Sequence, residues 1–404
     1  MKIPHDKFCV LPWVSLEASP IGTVRPCCLA DDELCDNSGT KFNLSTANFK
    51  DIQTSDQMKT LRSEFLAGQQ PTTCRKCWNE EDAGRTSKRM HTLNRFKHMG
   101  IDDAWTEDAK SLMFLDLKLG NICNLKCRIC GPWSSSQYAI EDIQNDKSAA
   151  DKKQTFAYQM LRAGAWPEEN QQFWGEIDGV LTDIRYIEFT GGEPFMIQEH
   201  FAMLQGIVDR GIAHNVEIHY NTNGTQYPEH AIEIWKHFKT VEIAFSIDDV
   251  GERFEYQRSN AVWTEVLINI SRFKLLREQH KNIQLQVCST INIFNVRYLK
   301  DVSSWITAQN FDFVYWNIMH DAWYFSISRL PAQAKLEIAV YLRNMDPPPQ
   351  YREEFDRVID FMMQGESSNG EQMRENICKL DVRREQDLAT VAPELAKIIN
   401  YAKT

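Results

Sequence analysis

Between residues 111 and 320 the chain alternates two patterns. Short runs rich in β-branched and aromatic residues lie near 113–119, 184–190, 215–221, 241–247, 282–291 and 312–319. Amphipathic stretches such as 197–210 and 262–279 separate them. Strand–helix units in series predict an α/β fold, a partial (β/α)6 version of the TIM-like barrel. Buried parallel strands ordinarily read as unbroken apolar runs. These do not. Asp116 and Lys118 alternate with leucines, Glu188 lies two beyond Tyr186, and Glu217, His219 and Asn221 share a face. Gln284, Gln286, Thr290 and Asn292 share another. With a side-chain period of two, each strand keeps one polar face, which in a barrel ringed by helices is the lumen. A hydrogen-bonding cavity is expected, although for any single residue a satisfied core hydrogen bond is the plainer reading.

The flanks differ from this middle. After residue 322 the pattern turns helical: Leu330-Pro331 opens a helix near 332–344, Asp346-Pro-Pro-Pro349 breaks the chain, and helices follow near 351–364, 371–386 and 392–402. The expected division is a cysteine-rich N-terminal module with a linker over 1–108, the barrel over 109–322 and a helical C-terminal region over 323–404. In that linker, residues 85–97 hold five cations and no carboxylate. They read as a solvated helix, with a patch for an acidic substrate as the other reading.

Composition adds limits. Hydrophobic residues make up 43% and charged residues 25% of 404, as in ordinary globular proteins. A net charge of −11 speaks against a nucleic-acid partner held by bulk electrostatics. No apolar run has the length of a membrane span. Pro4 and Asp6 interrupt any signal-peptide core, so the chain reads as cytoplasmic.

In a reducing compartment clustered thiols read as metal ligands rather than disulfides. Of the eleven cysteines, seven fall in two spaced groups: Cys9, Cys27, Cys74 and Cys77, then Cys123, Cys127 and Cys130. Cys28 is an alternative to Cys27 as ligand, Cys35 reads as a free thiol, and Cys288 and Cys378 read as small buried hydrophobes. The second group is C-x3-C-x2-C on a loop leaving a strand. Three thiolates at that spacing can hold three irons of a cubane cluster and leave the fourth open. A zinc site would want a fourth ligand nearby, and no histidine follows.

This loop resembles that of the radical S-adenosylmethionine (SAM) superfamily, and three further motifs stand in order behind it. Gly191-Gly192-Glu193-Pro194 matches the family's GGEP, which takes the amino group of SAM. Asn223, Ser246 and Asp248 match strand-end positions that hold its ribose and carboxylate, and Arg258 matches an arginine that pairs with the carboxylate. Ile129 stands where the family usually places an aromatic against adenine. The resemblance implies reductive cleavage of SAM to a 5′-deoxyadenosyl radical, hydrogen abstraction from a polar substrate, and a reducing partner such as flavodoxin or ferredoxin.

The first group, C-x12-G-x4-C followed by C-x2-C, resembles the Twitch module, the shortened relative of the SPASM domain in the same superfamily. There the four thiolates bind an auxiliary iron–sulfur cluster, although the module usually follows the barrel. Four-cysteine zinc ligation fits the same residues. With a second cluster as electron acceptor the net reaction is an oxidation, and its proton needs a base: His320, Asp321 and His219 are the candidates. A peptide-modifying maturase and a non-catalytic zinc or iron–sulfur scaffold are the alternative readings.

Overall fold

The computed structural model describes every residue except 1, 83–85, 98, 102–103, 148–150, 169, 320–322 and 403–404. The first strands are β1 (Ser15–Ala18), β2 (Val24–Arg25), β3 (Phe114–Lys118), β4 (Lys126–Cys127) and β5 (Tyr186–Thr190). Then follow β6 (Glu217–Thr222), β7 (Thr240–Ser246), β8 (Arg258–Ser259), β9 (Ile283–Ile291) and β10 (Phe313–Ile318). The chain divides into two compact units. The first holds Met1–Cys123, Pro132–Tyr220 and Pro228–Val241; the second holds Asn124–Gly131, Asn221–Tyr227 and Glu242–Thr404. No helix among the described residues is long and apolar enough to cross a membrane.

In the first unit the strand order is β2-β1-β3-β5-β6, with β1–β2 antiparallel and the other pairs parallel. The N-terminal strand therefore extends the sheet whose next member lies about a hundred residues later. Gly22, at φ +83°, makes the β1–β2 turn possible; a Cβ there would stand 2.5 Å from Asn43 Oδ1. Leu115, Leu117, Ile187, Phe189, Ile218 and Tyr220 are buried on one face. Behind them His200 bonds Tyr220 Oη at 3.1 Å, and burial pushes the imidazole down to about 3, so it packs as a neutral ring.

The opposite face is polar, as the period-two reading expects. Register partners run Glu17–Asp116–Glu188–His219 across four strands. Like charges directly opposite on a sheet repel. Cations from three different elements offset them. Arg25 donates twice to Glu17 (2.9 and 3.0 Å), Lys118 reaches Glu17 at 2.6 Å and Asp116 at 3.3 Å, and Lys88 reaches Glu188 at 3.0 Å. One row below, Arg95 and Lys239 hold Glu217 at 2.6 and 2.7 Å. Lys88 and Arg95 belong to the 85–97 run, and its Arg89 is also paired, with Glu81. The run is not a solvated helix: over Lys88–Phe96 its cations turn inward to carboxylates.

The second unit pairs β9 with β10 in parallel, with β7 on the other side of β9, and β4 antiparallel to β8. Cys288 shares the polar face of β9 with Gln286 and Thr290 and is half-buried, as is Cys378; neither is the fully buried hydrophobe expected. Helices over Ala332–Asn344, Arg352–Gln364 and Glu371–Arg384 follow with buried Ile338, Phe355, Met362, Ile377 and Leu380. The last expected helix is instead two short ones, Leu388–Val391 and Pro393–Ile398. Ala392, preceding the proline, leaves the helical region at φ −138°, ψ 64°.

Burial pushes the Glu188 carboxyl up, but Lys88, His219 and Lys118 outweigh it and hold the group at about 2, against an ordinary 4.5. A depressed carboxylate contributes stability that is complete above its unfolded value and is lost as pH falls through the folded one. We expect stability to fall between pH about 4.5 and about 2, with a shallower slope in Glu188→Gln, read from thermal midpoints across that window. Equal slopes would refute the assignment.

Candidate functional site

Four of the sequence-predicted ligands come together in the first unit. Cys9 precedes the 11–14 helical turn, Cys27 follows β2, Cys74 closes a 3-10 turn, and Cys77 lies in the first turn of the Arg75–Asp82 helix. The four residues line one small cavity of about 20 Å³, with Lys88 and Arg89 on its wall. Burial, with the neighbouring thiols, pushes Cys9 and Cys74 up, and burial pushes Cys27 up to about 11. Backbone N–H groups nonetheless point at the sulfurs: Leu11 at Cys9, Leu29 and Ala30 at Cys27, and Arg89 at Cys77, with Ser87 adding a side-chain donor. Thiols that are costly to ionise when bare, yet supplied with donors, suit sulfur ligands of a group that carries its own positive charge. Among the described residues no three His, Cys, Asp or Glu side chains converge closely enough to hold a single metal ion. Four cysteines on one cavity supply the thiolate set that a tetrahedral sulfur site takes, cluster and zinc alike.

Cys27 lines that cavity and Cys28 is not among its lining residues. The charged surroundings of Cys28 are Lys88, Asp116 and Glu188, on the polar face of the sheet. Arg89 ties this site together, donating to the carbonyls of Asp6 and Phe8 at 2.6 and 2.8 Å and lying 5.0 Å over the Trp78 ring.

Also in the first unit, Gly191 and Gly192 end β5 at φ +77° and +54°. A Cβ on Gly191 would meet Lys118 Cβ at 2.8 Å, and one on Gly192 would meet the Ile122 carbonyl at 2.4 Å. The paired glycines therefore admit the backbone just before Cys123, which Glu193 N–H grips through the same carbonyl at 2.7 Å. The Glu193 carboxylate is buried and accepts from Phe195 N–H at 3.3 Å, ahead of Pro194.

The second unit carries Cys127 and Cys130, whose thiols are hydrogen-bonded to one another; that bond and burial push Cys127 well up. Arg258 donates to Cys127 Sγ at 3.8 Å and to Asp248 at 2.6 Å, while Asp248 also accepts from Thr290 N–H at 2.8 Å. Arg258 Nε is buried with no partner, so a donor is left for an incoming acceptor such as a carboxylate. Asn223 donates to Asn124 at 3.0 Å and Asn124 to Thr225 at 2.9 Å. Ser246 ends β7 and Ile129 sits in the turn after Cys127, both half-buried. His219 lies on the polar face beside Glu188 in the first unit, and His320 and Asp321 lie outside the described residues.

Sequence reasoning missed what holds the cysteine loop. Arg128, fully buried, stacks 3.6 Å over the Tyr256 ring and pairs with Asp381 at 2.5 Å. Asp381 also accepts from Tyr256 Oη at 2.8 Å, Tyr401 Oη at 2.7 Å and Leu388 N–H at 2.9 Å. Arg384 adds a bond to the Lys126 carbonyl at 2.8 Å. The C-terminal helices thus clamp residues 126–128 through one buried ion pair. Removing one partner leaves the other charge uncompensated. Asp381→Ala should lower stability by about 3–5 kcal/mol, measured by denaturant unfolding; a loss below about 1 kcal/mol would refute the clamp.

Residues 9–78 match the family model of SPASM, an iron–sulfur cluster-binding domain. No curated protein matches the chain. Among solved structures, anSMEcpe with bound AdoMet is similar at 15% identity and a TM-score of 0.36, over 57% of this chain and 58% of that one. SuiB of Streptococcus suis bound to the precursor peptide SuiA is similar at 12% identity and a TM-score of 0.33, over 83% and 68%. TYW1 with a lysine–pyruvate adduct is similar at 11% identity and a TM-score of 0.29, over 60% and 76%. The chain thus spans little more than half the length of anSMEcpe. Its N-terminal region carries an iron–sulfur cluster-binding module of the SPASM type.

Proposed function

We propose that the protein is a radical SAM enzyme with two iron–sulfur clusters, acting on a polar small molecule or a peptide segment. The observation that carries this reading is the four-cysteine cavity inside the stretch matching the SPASM module, in a chain that also bears C-x3-C-x2-C. Cys123, Cys127 and Cys130 hold the first cluster and Cys9, Cys27, Cys74 and Cys77 the second. The strands form the wall of a partial (β/α)6 barrel. When bound, the first cluster and SAM supply a 5′-deoxyadenosyl radical that takes one hydrogen atom from the substrate.

The chain's own residues do the rest. Arg258, with its spare Nε donor, takes the SAM carboxylate, and Asp248 fixes the guanidinium at 2.6 Å for that purpose. Asn223 and Ser246 serve the ribose, the Gly191–Pro194 backbone the amino group, and Ile129 the adenine. A second cluster on Cys9, Cys27, Cys74 and Cys77 would supply the one-electron acceptor that an oxidative reaction needs, and a base on this chain would take the proton lost with that electron. His219, beside Glu188, receives that proton.

Iron analysis after anaerobic reconstitution tests this. The wild type should bind roughly eight iron per chain and a Cys123/Cys127/Cys130→Ala variant about four. The reduced wild type should convert SAM to 5′-deoxyadenosine and the variant should not. Zinc in the N-terminal site would remove the electron acceptor, and a loaded, reduced wild type that leaves SAM intact would point to a scaffold.

A further inference from the structure

The basic run over residues 85–97 has no part in the function so far, yet it reaches the four-cysteine cavity. The first turn of its helix brings two cations to the cavity wall. The charge of Arg89 is matched locally by Glu81, its remaining donors going to carbonyls. Lys88 is different. It lines the cavity, and its ammonium stands 3.0 Å from Glu188 and 5.2 Å over the Phe114 ring. Glu188 is the register partner of both Asp116 and His219. Lys88 thus lies between the cysteine cavity and the carboxylate row on the sheet.

We propose that Lys88 sets the reduction potential of the cluster held by Cys9, Cys27, Cys74 and Cys77, and that Glu188 opposes it, so that the cluster senses charge on the sheet face. This rests on the auxiliary-cluster reading above. A cluster on four thiolates is an anion whose charge grows by one on reduction. A cation nearby stabilises the reduced form and raises the potential, and a carboxylate does the reverse. Fixed charges act strongly where water is scarce, and the groups around a metal's ligands tune it in this way. A pair kept only for packing would show neither sign.

The test uses the reconstituted full chain carrying Cys123/Cys127/Cys130→Ala, so that only the second cluster reports, in an EPR-monitored redox titration. Relative to this background, Lys88→Met should shift the potential down and Glu188→Gln should shift it up. Lys88→Arg should hold it, and the double Lys88→Met/Glu188→Gln variant should return close to it. Equal potentials throughout, or shifts of one sign in both single variants, overturn the role of the pair while leaving the cluster in place. Absence of iron from the background protein overturns the auxiliary-cluster reading itself, and the role of Lys88 with it.

Discussion

Three carboxylates at neighbouring register positions, Glu17, Asp116 and Glu188, govern how the first unit is built. Parallel strands place such groups side by side, and without cations the row would repel itself apart or take up protons. The answering charges come from β2, from β3 and from the 88–96 helix. The first hundred residues are therefore bound to the sheet by charge as well as by the β1–β3 ladder. Buried ion pairs of this kind add little net stability over apolar packing, but deleting one member is costly. Such an arrangement is more readily understood as a working surface than as reinforcement.

The second unit shows the same logic on a smaller scale. Arg128 sits inside the cysteine motif, and its partner Asp381 comes from a helix some 250 residues later. One carboxylate collects four donors, two of them tyrosine hydroxyls, and so converts the C-terminal helices into a brace for the loop that carries Cys127 and Cys130. This gives those helices a structural purpose that their own sequence, lacking any cofactor signature, does not express.

Local pattern was enough for the strands. β3, β5, β6, β7, β9 and β10 all fall within the expected runs or a residue beyond them, because alternation with a period of two is written into adjacent residues. The four N-terminal cysteines were legible too, since motif spacing is local. What escaped was anything decided by a distant partner. Lys88 and Arg95 read as solvated because their carboxylates, Glu188 and Glu217, lie about a hundred residues away in the chain. Cys27 and Cys28 are indistinguishable in sequence; a strand end turns one toward the cavity and the other toward the sheet. What the GGEP motif does not express locally is that a side chain on either glycine would meet Lys118 or the Ile122 carbonyl, both more than sixty residues away in the chain.

The pairing of β1 with β3 also has a consequence for the order of assembly. Ser15 must find Phe114 across an intervening segment that includes Cys27, Cys74 and Cys77. Closing so long a loop costs entropy before any contact compensates for it, so this ladder belongs to the slow, late part of folding. During synthesis the N-terminal strand leaves the ribosome well before its parallel neighbour exists. Until then Glu17 has only Arg25 of its own hairpin as a counter-charge, and the cysteine segment must stay soluble without the sheet that later backs it.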